Sequence, residues 1–415
     1  MSEGSLSITG TGLQGVDTAL QAVSDNVANV NTDGFNSETV EFGTILGSYV
    51  NGNEIGGGVQ ALGVARDFSP GAIVQTSDPT NMAVQGNGFF IYQTPAGLQV
   101  YSQNGGVNVA ADGTLEAANG YKLLGYALSP NGTRAGTLSP IKIPQGLSAP
   151  QASTSITLSG NLNASDPVIT GTAINPSDPT TYDASVSVTV YDSVGTSHVV
   201  TFYFQNAGAG ASPGTEQWNW LATLDGSTAG LSNNTGSFTF NTSTGTISSG
   251  GVPANPLTAT PAGAAPLSLS LNFNALTQFA SGDALSGSAN GAPAGTPQQI
   301  EISNNGVISV SYSNGQKVEV AQVALATFTG TQGLALTQGG MYEATASSGT
   351  PTIATPGAGG AGLIEASAVN SSNVSLSAQL VNLVVLQNDY EANAKALQTE
   401  ASVLASILGI QIPPV

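Results

Sequence analysis

The chain has 415 residues, with 25 acidic side chains, six basic ones, a single histidine, no cysteine, 53 glycines and a formal net charge of −19. The lack of cysteine excludes disulfide scaffolds, thiolate zinc sites, iron–sulfur clusters and cysteine nucleophiles, and one histidine excludes multi-histidine metal centres. Six basic residues are too few to replace counterions along a nucleic acid or to hold an anionic membrane surface.

Met1–Gly12 has neither a basic segment nor a continuous apolar core, so a Sec-type signal is not expected there. Beyond it, Leu13, Val16, Leu20, Val23, Val27 and Val30 recur at alternating spacings of three and four. That heptad stripe predicts a helix over about residues 5–29. The helix is expected to stop in 29–34, where Asn, Asp and Gly favour turns and Gly34 can take positive φ. Strands follow at Phe89–Tyr92, Val107/Val109 and Leu123–Tyr126, bounded by the turns Asn104-Gly105, Asp112-Gly113 and Asn119-Gly120. Val186, Val188 and Val190 alternate with Ser and Thr. After a turn at 192–196, Val200, Phe202 and Phe204 complete a predicted hairpin. The alternation continues through Trp218, Trp220 and Leu224, through Phe238 and Phe240, and through Leu267, Leu269, Leu271 and Phe273. Ile308/Val310/Tyr312 and Val318–Leu325 complete the β-rich middle, with turns at Asn305-Gly306 and Asn314-Gly315.

Gly251–Pro297 and Thr350–Gly362, rich in small residues and proline, read as linkers. All six basic residues lie outside 151–299, where seven acids stand alone, so this region reads as one domain inserted into another. The C-terminal end returns to helix. Leu376, Leu380, Leu383, Tyr390, Ala394, Leu397, Ala401, Leu404 and Leu408 fall on one heptad seam, interrupted only by Gln387. Ser375 is the expected N-cap, and Gly409, Pro413 and Pro414 the expected stop. Off the seams, both helices carry small or neutral polar residues such as Ala19, Ala22, Asn382 and Asn393 rather than Glu/Lys pairs, which suits packing against further copies. No apolar run approaches the ~18 residues of a spanning helix, so no membrane insertion is expected.

Few residues suggest chemistry. His198, beside Ser197 and in a hairpin with Asp192, has the residue types of a nucleophilic triad but no nucleophile-elbow motif, and reads as a structural histidine at a strand end. Gly86-Asn87-Gly88 precedes the strand Phe89-Phe90-Ile91 rather than a helix, so a turn is expected instead of a phosphate loop; Gly56-Gly57-Gly58 fails the same test. The acids form no calcium loop, and nothing singles out a glycosidase-type pair. The expectation is therefore no enzyme activity, no catalytic residues, no cofactor and no metal.

The run Asp25-Asn26-Val27-Ala28-Asn29-Val30-Asn31-Thr32-Asp33-Gly34-Phe35 resembles the signature that ends the first helix of bacterial flagellar rod and hook axial proteins. Asn26, Ala28, Asn29, Thr32, Gly34 and Phe35 carry the match. Met82–Phe90 is similar to the family's Gly-x-Gly-Phe-Phe strand, Tyr101–Tyr126 to the block after it, and Leu380–Asn393 to its terminal helix. Within the inserted region, Thr189–Gly195 resembles the outer domain of the hook-type members. Gln103 and Asn36 stand where the family usually has basic residues, and Ile410–Val415 runs past its usual end.

The resemblance implies a mixed, mainly β chain with nested β-rich inner and outer domains and terminal helices paired as an antiparallel coiled coil. The corresponding boundaries are 1–31 with 366–415 for the helices, 32–70 for an extended linker, 71–150 with 298–365 for the inner domain, and 151–297 for the outer. It implies a structural subunit of the flagellar hook, outside the cell, polymerising into a curved tube that transmits torque as a universal joint. The helix-seam residues would make the assembly contacts: Leu13, Val16, Leu20, Val23 and Val27, then Leu376, Leu380, Leu383, Tyr390, Leu397, Leu404 and Leu408. The partners implied are many copies of itself, the flagellar rod, hook cap and hook–filament junction proteins, and the type III export apparatus. A distal rod protein is the alternative within the family. From another class, the alternative is a secreted β-rich binding protein or glycan-acting enzyme with trimerising termini. Residues 1–65 hold seven acids and no base, so stacked copies would repel and protonation would favour the polymer.

Overall fold

The computed structural model describes residues 2–47, 49–50, 53–54, 56–129 and 132–410. The prolines expected to stop the last helix and the tail beyond residue 410 lie outside the described residues. The chain is mainly β, with one long helix at each end: α1, Ser2–Ala28, and α2, Leu376–Ile410. It divides into two compact units. One comprises Met1–Pro144, Ile300–Val310 and Val318–Val415; the other comprises Gln145–Gln299 and Ser311–Lys317.

In the first unit, α1 ends one residue before Asn29, and Gly34 has the left-handed conformation (φ +71°). A Cβ on Gly34 would sit 2.5 Å from the backbone nitrogen of Asn104, so both conformation and space require glycine. The segment 32–70, expected as an extended linker, is instead built around an antiparallel ribbon of Glu38–Thr44 and Val59–Arg66, with a register shift between Glu41 and Phe42. Its β-branched residues need only a partner strand to pair, and that partner lies some twenty residues along the chain. The body of the unit is a multistranded sheet in which Lys122–Leu128, Phe89–Gln93, Gln99–Ser102 and Met341–Glu343 lie side by side. Phe89, Ile91, Tyr101, Leu124, Ala324 and Tyr342 form its buried core, edged by Phe68 and Phe328. Gly86 and Gly88 sit at the turn between the strands Met82–Gln85 and Phe89–Gln93, both with positive φ. Thr352–Ala354, within the second expected linker, pairs with Leu325–Thr327.

The inserted unit has two sheets. Five antiparallel strands run in sequence order: Ala184–Tyr191, Ser197–Ala209, Thr215–Leu224, Thr235–Asn241 and Ile247–Ser249. The other sheet places Leu257–Ala259, Leu267–Phe279, Ser155–Asn163 and Ala284–Ala289 in that order, and Ser155–Asn163 runs parallel to Leu267–Phe279. Gly251–Pro297 is therefore not a linker. It supplies three of these four strands, because the alternation of Leu267, Leu269, Leu271 and Phe273 puts these four side chains on the buried face. One apolar core joins the sheets, with Phe273 in ring contact with Phe202, Phe204, Trp220 and Phe238 at centroid distances of 5.5–6.4 Å.

Candidate functional site

The helices at the two ends of the chain meet. Thr9 Oγ1 donates to Glu400 Oε2 at 2.9 Å, a Cβ on Gly12 would lie 3.2 Å from Asn393 Oδ1, and Ala22 and Val23 share a groove with Gln379 and Leu386. Residue numbers rise along α1 as they fall along α2, so the pair is antiparallel. Closest approach falls to small residues of α1. Gly15, Ala19 and Ala22 are buried, and a Cβ on Gly15 would lie 3.2 Å from the Phe42 ring of the ribbon. Among the predicted seam residues of α1, Val23 is buried, while Leu13, Val16, Leu20 and Val27 are half-buried.

On α2 the covered strip is displaced from the predicted one. Leu383, Leu397 and Leu404 are half-buried as members of both strips, as is Ala394 of the predicted one, but their other companions are Gln379, Leu386, Asn393 and Glu400 rather than Leu380, Gln387 and Ala401. Leu376, Leu380 and Tyr390, placed on the seam by sequence, are 43%, 47% and 44% exposed. The reason is steric: the glycines and alanines of α1 leave room for polar side chains at its flank, so α2 turns Gln379, Asn393 and Glu400 inward. Its apolar residues Leu376, Leu380, Val381, Val384 and Val385 are left uncovered. The side chain of Leu408 lies outside the described residues.

Below the helices the family-type motif becomes a set of backbone clamps. Asn29 Nδ2 donates to the carbonyl and to Oδ1 of Asp25, and Thr32 Oγ1 donates to Asn29 Oδ1, which closes the last turn of α1. Gly34 N–H then donates to the Asn370 carbonyl at 2.7 Å. Asn26 has no exposed surface; its Nδ2 donates to the Glu38 carbonyl and its Oδ1 accepts the Glu38 N–H, both at 2.7 Å. Glu38 pairs with Arg66 across the ribbon and is bridged to its guanidinium at 2.7 Å. On the far side, Gln332 Oε1 accepts the Arg66 N–H at 3.0 Å and Gln332 Nε2 donates to the Arg66 carbonyl at 2.6 Å. Asn26, Glu38, Arg66 and Gln332 thus form one continuous rung. Two amide side chains stand in for neighbouring strands at the ribbon's base.

Asn370 grips Val84 in the same way, and Asn373 holds Ser37, Asp67 and Ser69. Phe35 is half-buried, while Ala28 and Thr32 are exposed. Sequence reasoning missed Arg66, Gln332, Asn370 and Asn373; the polar run Asn370-Ser371-Ser372-Asn373 is the signal that could have found the last two. Asn29, Thr32, Gly34 and Phe35 of the motif also line a cleft of about 420 Å³, together with Arg66, Asn104 and Tyr342.

Replacing Asn26 by Ala is expected to destabilise the first unit by about 2–4 kcal/mol, because it strands a donor and an acceptor of Glu38. Urea unfolding followed by tyrosine signals of that unit checks this, and a loss below about 1 kcal/mol would show that the rung is dispensable.

The residues with possible chemistry are arranged otherwise. His198 lies between Asp225 and Asp192, both ring nitrogens facing carboxylate oxygens, which is not the geometry of a base activating a serine. Among the described residues, no group of three or more His, Cys, Asp or Glu side chains is placed to hold a metal ion, and no helix is long and apolar enough to cross a membrane.

Comparison with known proteins agrees with these features. The model of the flagellar hook protein FlgE/F/G D1 domain matches residues 83–164, that of the flagellar basal body protein FlaE D2 domain matches 161–292, and that of the flagellar basal body rod FlgEFG protein C-terminal matches 365–410. The flagellar hook protein FlgE of Escherichia coli (strain K12) is 31% identical over 407 residues, spanning 97% of this chain and 98% of that protein. Its counterpart in Salmonella typhimurium is 31% identical over 408 residues with the same coverage, and that of Treponema pallidum is 28% identical over 456 residues. With paired terminal helices, an inserted β unit and near full-length identity to these proteins, the chain belongs to the flagellar hook protein family.

Proposed function

We propose that this hook subunit polymerises through its terminal helices into a curved tube, which carries torque from the motor rod to the filament while bending as a universal joint. The observation that carries the reading is the apolar strip of α2 left uncovered in the single chain: Leu376, Leu380, Val381, Val384 and Val385. An exposed apolar strip of this kind marks a surface that a partner covers, and a second copy of the chain offers the matching helices. The role is structural, and its location is the hook, outside the cell. The partners proposed beyond further copies are the rod, hook cap and hook–filament junction proteins and the type III export apparatus. The domains proposed are the helical ends, the clamped ribbon and two nested β units, and the seam residues are proposed to contribute to contacts between copies. A distal rod protein is the second reading, and the inserted two-sheet unit is the feature that favours the hook over it.

Negative-stain microscopy of the assembled protein tests the proposal: a curved tube of fixed diameter supports it, and discrete trimers refute it. Removal of 376–415, which spares the Asn26, Asn370 and Asn373 clamps, is expected to leave both β units folded and the chain unable to polymerise. The acid excess of residues 1–65 is only partly offset within the chain, by the Arg66–Glu38 pair. Polymers are therefore expected to be more stable near about pH 4 than near about pH 8, and faster disassembly at the lower pH would contradict this.

A further inference from the structure

The single histidine of the chain occupies a place that only one of its protonation states fits. His198 lies at the start of the strand Ser197–Ala209, with Nδ1 2.7 Å from Asp225 Oδ2 and Nε2 3.5 Å from Asp192 Oδ2. A neutral imidazole has one N–H and one lone pair, so in either tautomer a lone pair would face a carboxylate oxygen; the imidazolium donates to both.

The carboxylates are not free to turn away. Asp192 is 1% exposed, and its Oδ1 accepts the N–H groups of Val194 and Thr196 at 2.9 and 2.8 Å. Asp225, at φ +50°, accepts the Val199 N–H on Oδ1 at 2.9 Å. These two are the charged groups that face the ring, one from the turn at 192–196 and one from the turn after Thr215–Leu224. No Lys or Arg occurs anywhere in 151–299 to replace the imidazolium. The first turn is itself anchored: Tyr191 exchanges two 2.9 Å bonds with Ser153, and Ser193 Oγ accepts the Ala265 N–H at 2.9 Å. The turn at 225 is tied to the histidine's own strand by the Asp225 N–H on the Val199 carbonyl at 2.9 Å, and the histidine joins its carboxylate to Asp192 of the anchored turn.

We propose that His198 is a proton-operated latch in the inserted unit: protonated, it ties the turn at 192–196 to the turn at 225, and on losing a proton it releases one of them and loosens that end of the five-stranded sheet. The hydrogen bond that the ring donates to Asp225 raises the imidazole above its ordinary value of 6.5, against burial and with help from Asp192. Burial opposes ionisation of both carboxyls but is outweighed, at Asp192 by the Thr196 and Val194 N–H groups and at Asp225 by His198 and the Val199 N–H, so both are held below 3.8. A raised histidine value means that the latch stabilises the fold while the ring is protonated and is lost as pH rises through that value. The depressed carboxylates mean that it is also lost as pH falls through theirs. Between these limits the latch is closed.

With a single histidine, ring-¹⁵N labelling of the full chain gives an unambiguous NMR titration. The expected result is a midpoint above 6.5, with both ring nitrogens protonated on its acid side, shifted downward by Asp225→Asn; asparagine tolerates the left-handed backbone at that site. Amide exchange at Val199, corrected for intrinsic pH dependence, is expected to accelerate through the same midpoint and to lose that step in His198→Gln. A midpoint at or below 6.5, a ring with one protonated nitrogen on the acid side of the midpoint, or an exchange step that persists in His198→Gln would overturn the proposal.

Discussion

Leu380→Glu combined with Val384→Glu is expected to abolish polymerisation while leaving both β units folded. The two positions are one helical turn apart on the uncovered strip of α2 and are 47% and 56% exposed, so the single chain loses little. In a polymer the same strip would be covered. Each interface would then bury a carboxylate without a partner, and no basic residue lies on α2 apart from Lys395, four turns from Leu380. A penalty of about 3 kcal/mol per subunit already raises the critical concentration more than a hundredfold. Sedimentation at rising concentration measures this, with circular dichroism as the folding control. Tubes that form at the unmodified concentration would show that the strip is not an assembly surface. Substitutions on the covered strip, such as Leu397→Ala, are expected to act differently: they loosen the α1–α2 pair first and assembly only through it.

Phe273→Ala is expected to destabilise the inserted unit by about 3–5 kcal/mol, a large share of the ~5–15 kcal/mol that holds a domain together. Phe273 has no exposed surface and contacts four aromatic rings from the opposite sheet, so its removal opens a cavity at the centre of the sandwich. The measurement is unusually clean. Both tryptophans, Trp218 and Trp220, lie in this unit and are buried in its core, so tryptophan fluorescence in urea reports its unfolding within the full chain. A loss below about 1 kcal/mol would mean that the rings repack around the gap.

Much of this architecture is legible in local sequence. Helical ends follow from the three-four spacing of Leu13 to Val27 and of Leu376 to Leu404, and the β middle from alternations such as Val186–Val190. Composition misled where it was averaged over a window. Gly251–Pro297 is rich in small residues and proline, yet thirteen of its residues, Leu267–Phe279, form a core strand. The ribbon in 32–70 was illegible for another reason: an isolated two-stranded ribbon is marginal in water, and here it is sustained by α1 packed on one face and by amide clamps at its base.

Sequence by itself determined which residues are apolar, at what period, and which chemistries are absent. Tertiary structure alone decided which apolar face of α2 is covered, because that depends on the profile of α1, whose Gly12, Ala19 and Ala22 admit Gln379 and Asn393 instead of Leu380. It likewise decided that Asn26 holds Glu38, that Asn370 holds Val84, 286 residues away, and that His198 stands between two carboxylates from separate turns. A side-chain amide or an imidazole carries no periodic signal, and its partner is fixed only when the chain brings distant backbone within about 3 Å.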